Sequence, residues 1–477
     1  MEAPARRRVV VVGGGVTGLS AAHRLVELRR ERELPLEVEL LEAGVRLGGV
    51  VATVRRQGFL MEEGPDSILT EKPWAIDLAR RLGLERRIVG TRPEFRRSFV
   101  AFRGALHPTP DGFYLLAPAD LRALASSGLF SLPGKVRMAM DVAIPRRRSR
   151  GDESLGAFVR RRLGREALVR IAQPMVAGIY GADPERLSLQ ATFPRFHEME
   201  ERYGSVIRAL RAAARTRRAA AGGEGGTVSG ARYSLFASFD GGLQVLTDAL
   251  AARLPPGAAR TGAVVDAIYP DPRGGWRLRR RGTDEAADAL ILAVPARAAA
   301  EMVGPFDARL GQKLGAIRYG SAATVSLAYR EEEVTHPMDG VGFVVPAVEG
   351  RAVIGCTFVH RKYAGRAPDG QALLRAFHGA AALDLSDHDL VDRTHRELSG
   401  WLGLRGRPAL SHVARWPDSM PHFEVGHLDR IGEIAEALRA HPGLALAGNG
   451  YRGIGIPDCV RSGEQAAEAV VRQLFPG

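Results

Sequence analysis

Cysteine is almost missing from this chain: Cys356 and Cys459 are the only two, far apart, with neither CxxC spacing nor a histidine cluster beside them. That excludes a disulfide scaffold and a cysteine-based zinc site, and fits a reducing, cytoplasmic setting. Long apolar runs are lacking as well. No stretch approaches the roughly 18 residues that a membrane-spanning helix needs, and the valine run at residues 9–12 is too short for the apolar core of a signal peptide, so a soluble or peripheral protein is expected. Aromatic residues are scarce at 6% and do not interleave with the arginine clusters at 6–8, 146–150 and 279–281, which speaks against nucleic acid as a partner. The histidines are dispersed, and no HExxH motif, Ser-His-Asp order or acid–base pair is found, so no metal is expected. What is abundant is arginine, which far outnumbers lysine and leaves a net charge of +13. Such a charge attracts anionic lipid or polyanionic small molecules, although solvated surface is the plain reading of most of the clusters.

The 477 residues allow two or three domains, without any 20–50-residue repeat. Residues 9–12 form a continuous β-branched run, the strand type buried on both faces of a parallel sheet. Glycines follow at once, and then Leu19, Ala22, Leu25, Val26 and Leu28 recur at helical spacing until Pro35. Residues 38–43 are the second strand, completing a βαβ unit. Gly13, Gly15 and Gly18 in GGGVTG have the GxGxxG spacing after a strand and before a helix. There the first glycine permits the turn, the second admits a pyrophosphate, the third lets helix and strand pack closely, and the helix N-terminus faces the phosphates. Gly14, Val16 and Thr17 belong to the same turn. Glu42, at the end of the second strand, is placed to accept hydrogen bonds from ribose hydroxyls.

The residues that follow, EAGVRLGG at 42–49, resemble the signature of the flavin amine oxidase superfamily. The resemblance implies noncovalent FAD, held by Glu42, Ala43, Arg46 near the pyrophosphate, Gly49 and Val50. It extends to EEGPDS at 62–67, with Gly64, Pro65, Asp66 and Ser67 near the flavin, and to Val265 on the adenine side. Residues 447–463, AGNGYRGIGIPDCVRSG, resemble the second flavin motif, with Asn449, Ile454, Gly455 and Ile456 as cofactor contacts and Cys459 as packed sequence, not an attachment point.

Residues 173–194, QPMVAGIYGADPERLSLQATFP, and 415–427, RWPDSMPHFEVGH, narrow the resemblance to the porphyrinogen oxidases, and with motifs at both ends and the middle it spans nearly the whole chain. It implies a six-electron oxidation of coproporphyrinogen III or protoporphyrinogen IX in haem biosynthesis. The flavin N5 takes hydride and oxygen is reduced to peroxide, so no catalytic side chain is named. Gly178 would lie against the macrocycle, Phe343 and Phe377 are candidates to sandwich it, and Arg97 is the candidate for a propionate. At the register where some protoporphyrinogen-oxidising relatives carry that arginine, RRSFVAFRGALH has Ser98, with Arg92, Arg96, Arg97 and Arg103 nearby; this surplus tilts the choice towards coproporphyrinogen. An amine oxidase, a carotenoid desaturase or a non-catalytic flavin and porphyrin-binding protein are the alternatives on this fold.

The expected architecture is α/β (α+β): a Rossmann-like FAD-binding domain in discontinuous segments (1–90, 236–300 and 426–477), a mainly helical basic domain (91–235) and a mixed-sheet substrate domain (301–425). Within the helical part, residues 129–148 are amphipathic and basic. They read as ordinary core, with anionic lipid as the alternative, while residues 219–230 read as a flexible glycine-rich loop. The resemblance implies a porphyrinogen and O2 as partners. Peripheral membrane contact, handover to ferrochelatase and a homodimer are left open.

Overall fold

The computed structural model describes residues 6–110, 113–114, 117–118, 120–149, 151–220 and 235–476. Most of the glycine-rich stretch read at 219–230 therefore lies outside the described residues. The first βαβ unit forms as its valines and glycines require. Arg7–Val12 sits in the middle of a five-stranded parallel sheet, flanked by Leu36–Leu41 and Ala289–Leu292, with Ala259–Arg260 and Leu444–Leu446 at the edges. Strands from the start, middle and end of the chain thus close one sheet. Val9, Val10 and Val11 are completely buried because helices or a second sheet cover both of its faces. The crossover helix Val16–Glu31 buries Leu19, Ala22, Leu25, Val26 and Leu28 against the sheet.

The last helix, Ile456–Leu474, packs along Val16–Glu31. A Cβ at Gly463 would stand 2.3 Å from the Thr17 carbonyl oxygen, so only glycine permits this approach. Gly455 is the N-cap of the helix and Pro457 occupies the first turn, where its missing N–H costs no hydrogen bond.

The second large element is a seven-stranded mixed sheet, ordered Leu410–Pro421, Tyr319–Arg330, Gln371–His378, Val353–Phe358, Gly342–Val344, Phe99–Phe102 and Ala105–Pro108. The pair Phe99–Phe102 and Gly342–Val344 is parallel and the rest antiparallel. Residues 91–235, expected to be mainly helical, therefore open with two strands of this sheet before helices take over from Leu121. One face of the sheet is covered by the helix Asp387–Leu402 over a core of Phe99, Val325, Leu327, Phe343, Phe358 and Leu398. The other face looks towards the helical layer and the nucleotide domain.

Arginines in the helical layer are structural as well as superficial. Arg162 is fully buried with Asp141 at 2.5 Å, and Ser205 Oγ and the Ile207 N–H complete the shell of that carboxylate. A buried charge survives only with partners of this kind. The clusters at 6–8 and 279–281 meet through shared carboxylates, Arg8 donating to Glu39 and Glu285, and Arg280 also pairing with Glu285. Among the described residues, no helix is long and apolar enough to cross a membrane.

Candidate functional site

At the end of the parallel sheet the two glycine turns face each other. Gly13 has φ +107°, and its Cβ would stand 2.4 Å from the Ala293 carbonyl oxygen. Gly18 is closer still: its Cβ would meet the Gly13 oxygen at 1.8 Å. Gly15 is different, with only the Gly49 Cα at 4.0 Å from where a Cβ would be, so its backbone borders open space, as a close approach to a pyrophosphate requires. Gly15 and Gly455 are the N-caps of the two helices packed together, Val16–Glu31 and Ile456–Leu474, and neither helix start is capped by a side chain. Two sets of free N–H groups and two positive dipole ends therefore converge on one region.

Glu42 organises the rim of this region. Its Oε2 accepts from the Gly14 N–H at 2.6 Å and its Oε1 from the Gly44 N–H at 2.7 Å, leaving lone pairs for further donors such as ribose hydroxyls. Its backbone pairs with residues 260–263, which places Val265, buried beside Leu41, in the neighbouring turn. Arg46 folds back on its own loop, donating to the carbonyls of Leu47, Gly49 and Val51 at 3.2, 2.6 and 3.3 Å. Its guanidinium thus shapes the double-glycine turn. Ala43 and Val50 lie exposed on the same rim.

Residues 63–67 are locked between this rim and the seven-stranded sheet. A Cβ at Gly64 would be 1.9 Å from the Val50 carbonyl oxygen. From the sheet, Thr324 Oγ1, an Arg375 Nη and Trp416 Nε1 all donate to the Glu63 carbonyl, at 3.2, 3.0 and 2.8 Å. Lys362 holds the Asp66 carboxylate at 2.8 Å, and Tyr363 meets Ser67 at 2.8 Å. Burial alone would raise the Asp66 carboxyl, but Lys362 and Arg375 outweigh it and hold the group well below the usual carboxylate range. At the C-terminal motif, Lys72 pairs with Asp458 at 2.7 Å, Asn449 reaches the Ser419 carbonyl at 3.4 Å, and Ile454 packs on the helical layer. Ile456 and Cys459 are buried, and burial pushes the Cys459 thiol up to about 12, which keeps it protonated and a poor nucleophile.

The face of the seven-stranded sheet that carries Thr324 and Arg375 also carries Phe377, paired with Thr324 on one side and Gly355 on the other. The helix Gln173–Tyr180 packs on strands Val353–Phe358 and Gly342–Val344, and Val344 of this face joins the core of the helical layer. Gly178 is exposed, with nothing within 4 Å of a would-be Cβ. A five-residue π turn, Leu168–Ala172, ends two positions before Pro174, whose missing N–H breaks the regular ladder. Beyond the helix end at Gly181 opens a cavity of about 230 Å³ bordered by Arg186, Arg318, Tyr319 and His422.

One expected substrate contact lies on the other side of the sheet. Phe343 pairs with Cys356, one step out of phase with Phe377, and is buried on the opposite face against Phe358 and Trp401, at 6.0 and 5.3 Å between ring centroids. It belongs to the core beneath the helix Asp387–Leu402. Arg97, in the loop before the strand Phe99–Phe102, is 68% exposed and paired with Asp339; Arg92 pairs with Glu94. The residues not anticipated are Arg375, Thr324, Trp416 and Lys362. The only signal for Arg375 was strand alternation with Phe377, two positions on.

Comparison with known proteins agrees with this geometry. The flavin containing amine oxidoreductase family model matches residues 16–471. A coproporphyrinogen III oxidase of Bacillus subtilis (strain 168) is 35% identical over 98% of this chain and 99% of its own. The chloroplastic protoporphyrinogen oxidase of Nicotiana tabacum is 29% identical over 97% of this chain and 85% of its own. A solved structure from Exiguobacterium sp. 255-15, provisionally named a protoporphyrinogen oxidase, superposes with a TM-score of 0.85 at 31% identity, covering 97% of this chain and 98% of the other.

Proposed function

The chain belongs to the flavin containing amine oxidoreductases and is an FAD-dependent oxidoreductase, and from that premise we propose that it is the porphyrinogen oxidase of a haem pathway, with coproporphyrinogen III as substrate. The observation that carries the substrate is full-length identity of 35% to a coproporphyrinogen III oxidase against 29% to a chloroplastic protoporphyrinogen oxidase.

FAD fits the residues present. The open backbone at Gly15, the two uncapped helix starts and the spare lone pairs of Glu42 are the donors and acceptors a dinucleotide needs. In this reading Glu42 takes the ribose, the turn at Gly13–Gly18 and the loop shaped by Arg46 take the pyrophosphate, and residues 64–67 with 454–456 border the ring. FAD is read as noncovalent, in keeping with the burial of both thiols, Cys356 and Cys459. Bound there, flavin supplies the two-electron acceptor for oxidation of a macrocycle C–H bond, with oxygen as the final oxidant. The chain's own work is to orient and to exclude water: Phe377 offers a flat apolar wall, Gly178 leaves room for a ring against helix backbone, and the sheet closes one side.

Peripheral contact with a membrane belongs to the same reading. Leu132, Val136 and Met140 recur at four-residue spacing, 74, 56 and 50% exposed, beside the basic run at 146–148, the amphipathic pattern that lies on anionic lipid. The test of function is purification, an absorption spectrum, and an anaerobic mixing experiment with each porphyrinogen. Flavin bands that bleach with coproporphyrinogen III, followed by porphyrin fluorescence on admitting air, are expected. Flavin that stays oxidised with both porphyrinogens but bleaches with an amine overturns the proposal.

A further inference from the structure

Arg375 lies within the strand Gln371–His378 with 2% of its surface exposed. One Nη donates to the carbonyl oxygens of Glu63 and Gly64, and the guanidinium carbon stands 4.9 Å from the centre of the Phe377 ring. The Nε is buried without a hydrogen-bond partner. No carboxylate approaches Arg375 within 4 Å among the described residues. Asp66, Glu62 and Glu63 lie near enough to act on it electrostatically, but none bonds it: Asp66 is held by Lys362 at 2.8 Å, Glu62 by Thr53 Oγ1 at 2.7 Å and the Leu243 N–H at 2.8 Å, and Glu63 by His412 at 2.9 Å. A buried guanidinium with no bonded counter-ion is expensive, since desolvating a charge costs several kcal/mol that distant carboxylates offset only in part. Holding a carbonyl does not require it. Thr324 and Trp416 bond the same Glu63 oxygen with neutral donors, so the charge itself calls for an explanation.

We infer that Arg375 is a positioning residue of the cradle, fastening the Glu63–Gly64 loop to the wall that carries Phe377 and placing there a positive charge that favours the reduced state of the bound flavin. The inference rests on the flavin reading of the site and not on which porphyrinogen is oxidised. Two-electron reduction leaves a flavin ring more negative at neutral pH, and a cation in a poorly solvated setting stabilises whichever state carries more negative charge. The two carbonyl bonds join the loop to the wall, and the contact with the Phe377 ring steadies the guanidinium on its own strand.

Three variants decide it: Arg375→Met, of similar reach but neutral; Arg375→Lys, charged but shorter and without the planar group that lies over the Phe377 ring; and Thr324→Val, which removes a neutral donor from the same oxygen. Each is purified with FAD, its midpoint potential measured anaerobically against reference dyes, and its kcat and KM determined. In Arg375→Met the potential should fall and kcat drop tenfold or more, with KM changed less than threefold. Arg375→Lys should keep the parent potential with kcat reduced at least threefold, and Thr324→Val should leave the potential unmoved. A parent potential in Arg375→Met, even with lowered thermal stability, overturns the inference. If Arg375→Met does not retain FAD, Arg375→Lys decides: parent kcat, or a shifted potential, overturns it. The potentials need no porphyrinogen, so an enzyme inactive on both porphyrinogens would refute the proposed function without touching this result.

Discussion

Replacing Glu42 should cost this protein its cofactor, and the size of the effect follows from two short bonds. The carboxylate takes the Gly14 N–H at 2.6 Å and the Gly44 N–H at 2.7 Å, tying the phosphate-binding turn to the loop that Arg46 shapes. A hydrogen bond to a charged group contributes about 1.5–3 kcal/mol, and the partial exposure of this one argues for the lower end, so Glu42→Ala gives up about 3 kcal/mol of order in the cradle. If that order must be restored on binding, and about 1.4 kcal/mol corresponds to tenfold, FAD affinity should fall by roughly two orders of magnitude, before any ribose bond is counted. Glu42→Gln is the informative intermediate. Its amide oxygen can accept from one of the two N–H groups, but its NH2 then faces the other, donor against donor, and a loss on the order of tenfold is expected. The assay is titration of FAD into flavin-free protein, followed by quenching of flavin fluorescence, with occupancy after gel filtration as a check. A Glu42→Ala protein that binds FAD within threefold of the parent would refute the reasoning.

Other outcomes follow from the same geometry. Gly178→Leu should fill the open space beside the helix Gln173–Tyr180, raising KM or abolishing turnover while flavin content stays at the parent level; unchanged kinetics would remove that helix from the pocket. Burial holds His360 and His378 at about 4, below the ordinary value of about 6.5, so the unfolded chain takes up protons first. Their contribution to stability is complete above about 6.5 and lost as pH falls towards 4; Tm should drop across that window, and less steeply in His378→Gln. Ser or Gln at Leu132, Val136 and Met140 together should abolish sedimentation with vesicles rich in anionic lipid and leave kcat intact, and equal binding to neutral vesicles would argue against the basic fringe. Coproporphyrinogen III, with more propionates, should lose kcat/KM more steeply with salt than protoporphyrinogen IX; the reverse order would count against the substrate assignment.

Local pattern was enough wherever one segment does its work alone. The valine run, the glycine turn and the helix from Val16 onward lie within one stretch of chain, and their geometry is dictated by which residues lack a Cβ and which are β-branched. The register of Glu42 behind them was legible for the same reason. Residues 447–463 were legible as a flavin motif, but not that Gly455 and Pro457 within it open a helix, since both residue types serve equally in loops. Gly463 could be read as a glycine but not as the place where two helices touch, a fact that needs Thr17 opposite it.

The sequence by itself determined the dinucleotide fold, the flavin family and the order in which distant segments return to one sheet, since these rest on short-range spacing and on motifs that keep their meaning out of context. Tertiary structure alone decided which face of the seven-stranded sheet meets the Glu63–Gly64 loop. Strand alternation says that Arg375 and Phe377 share a face, and says nothing of which face is inward. Only the pairing of Phe343 with Cys356 and of Phe377 with Gly355 sets the two phenylalanines on opposite sides. The same holds for charge. Arg97 and Arg375 are alike as letters, yet one is largely in solvent beside Asp339 and the other is sealed against the Glu63 and Gly64 carbonyls, and the cost of desolvating a cation, which makes the second informative, exists only once the chain has closed around it.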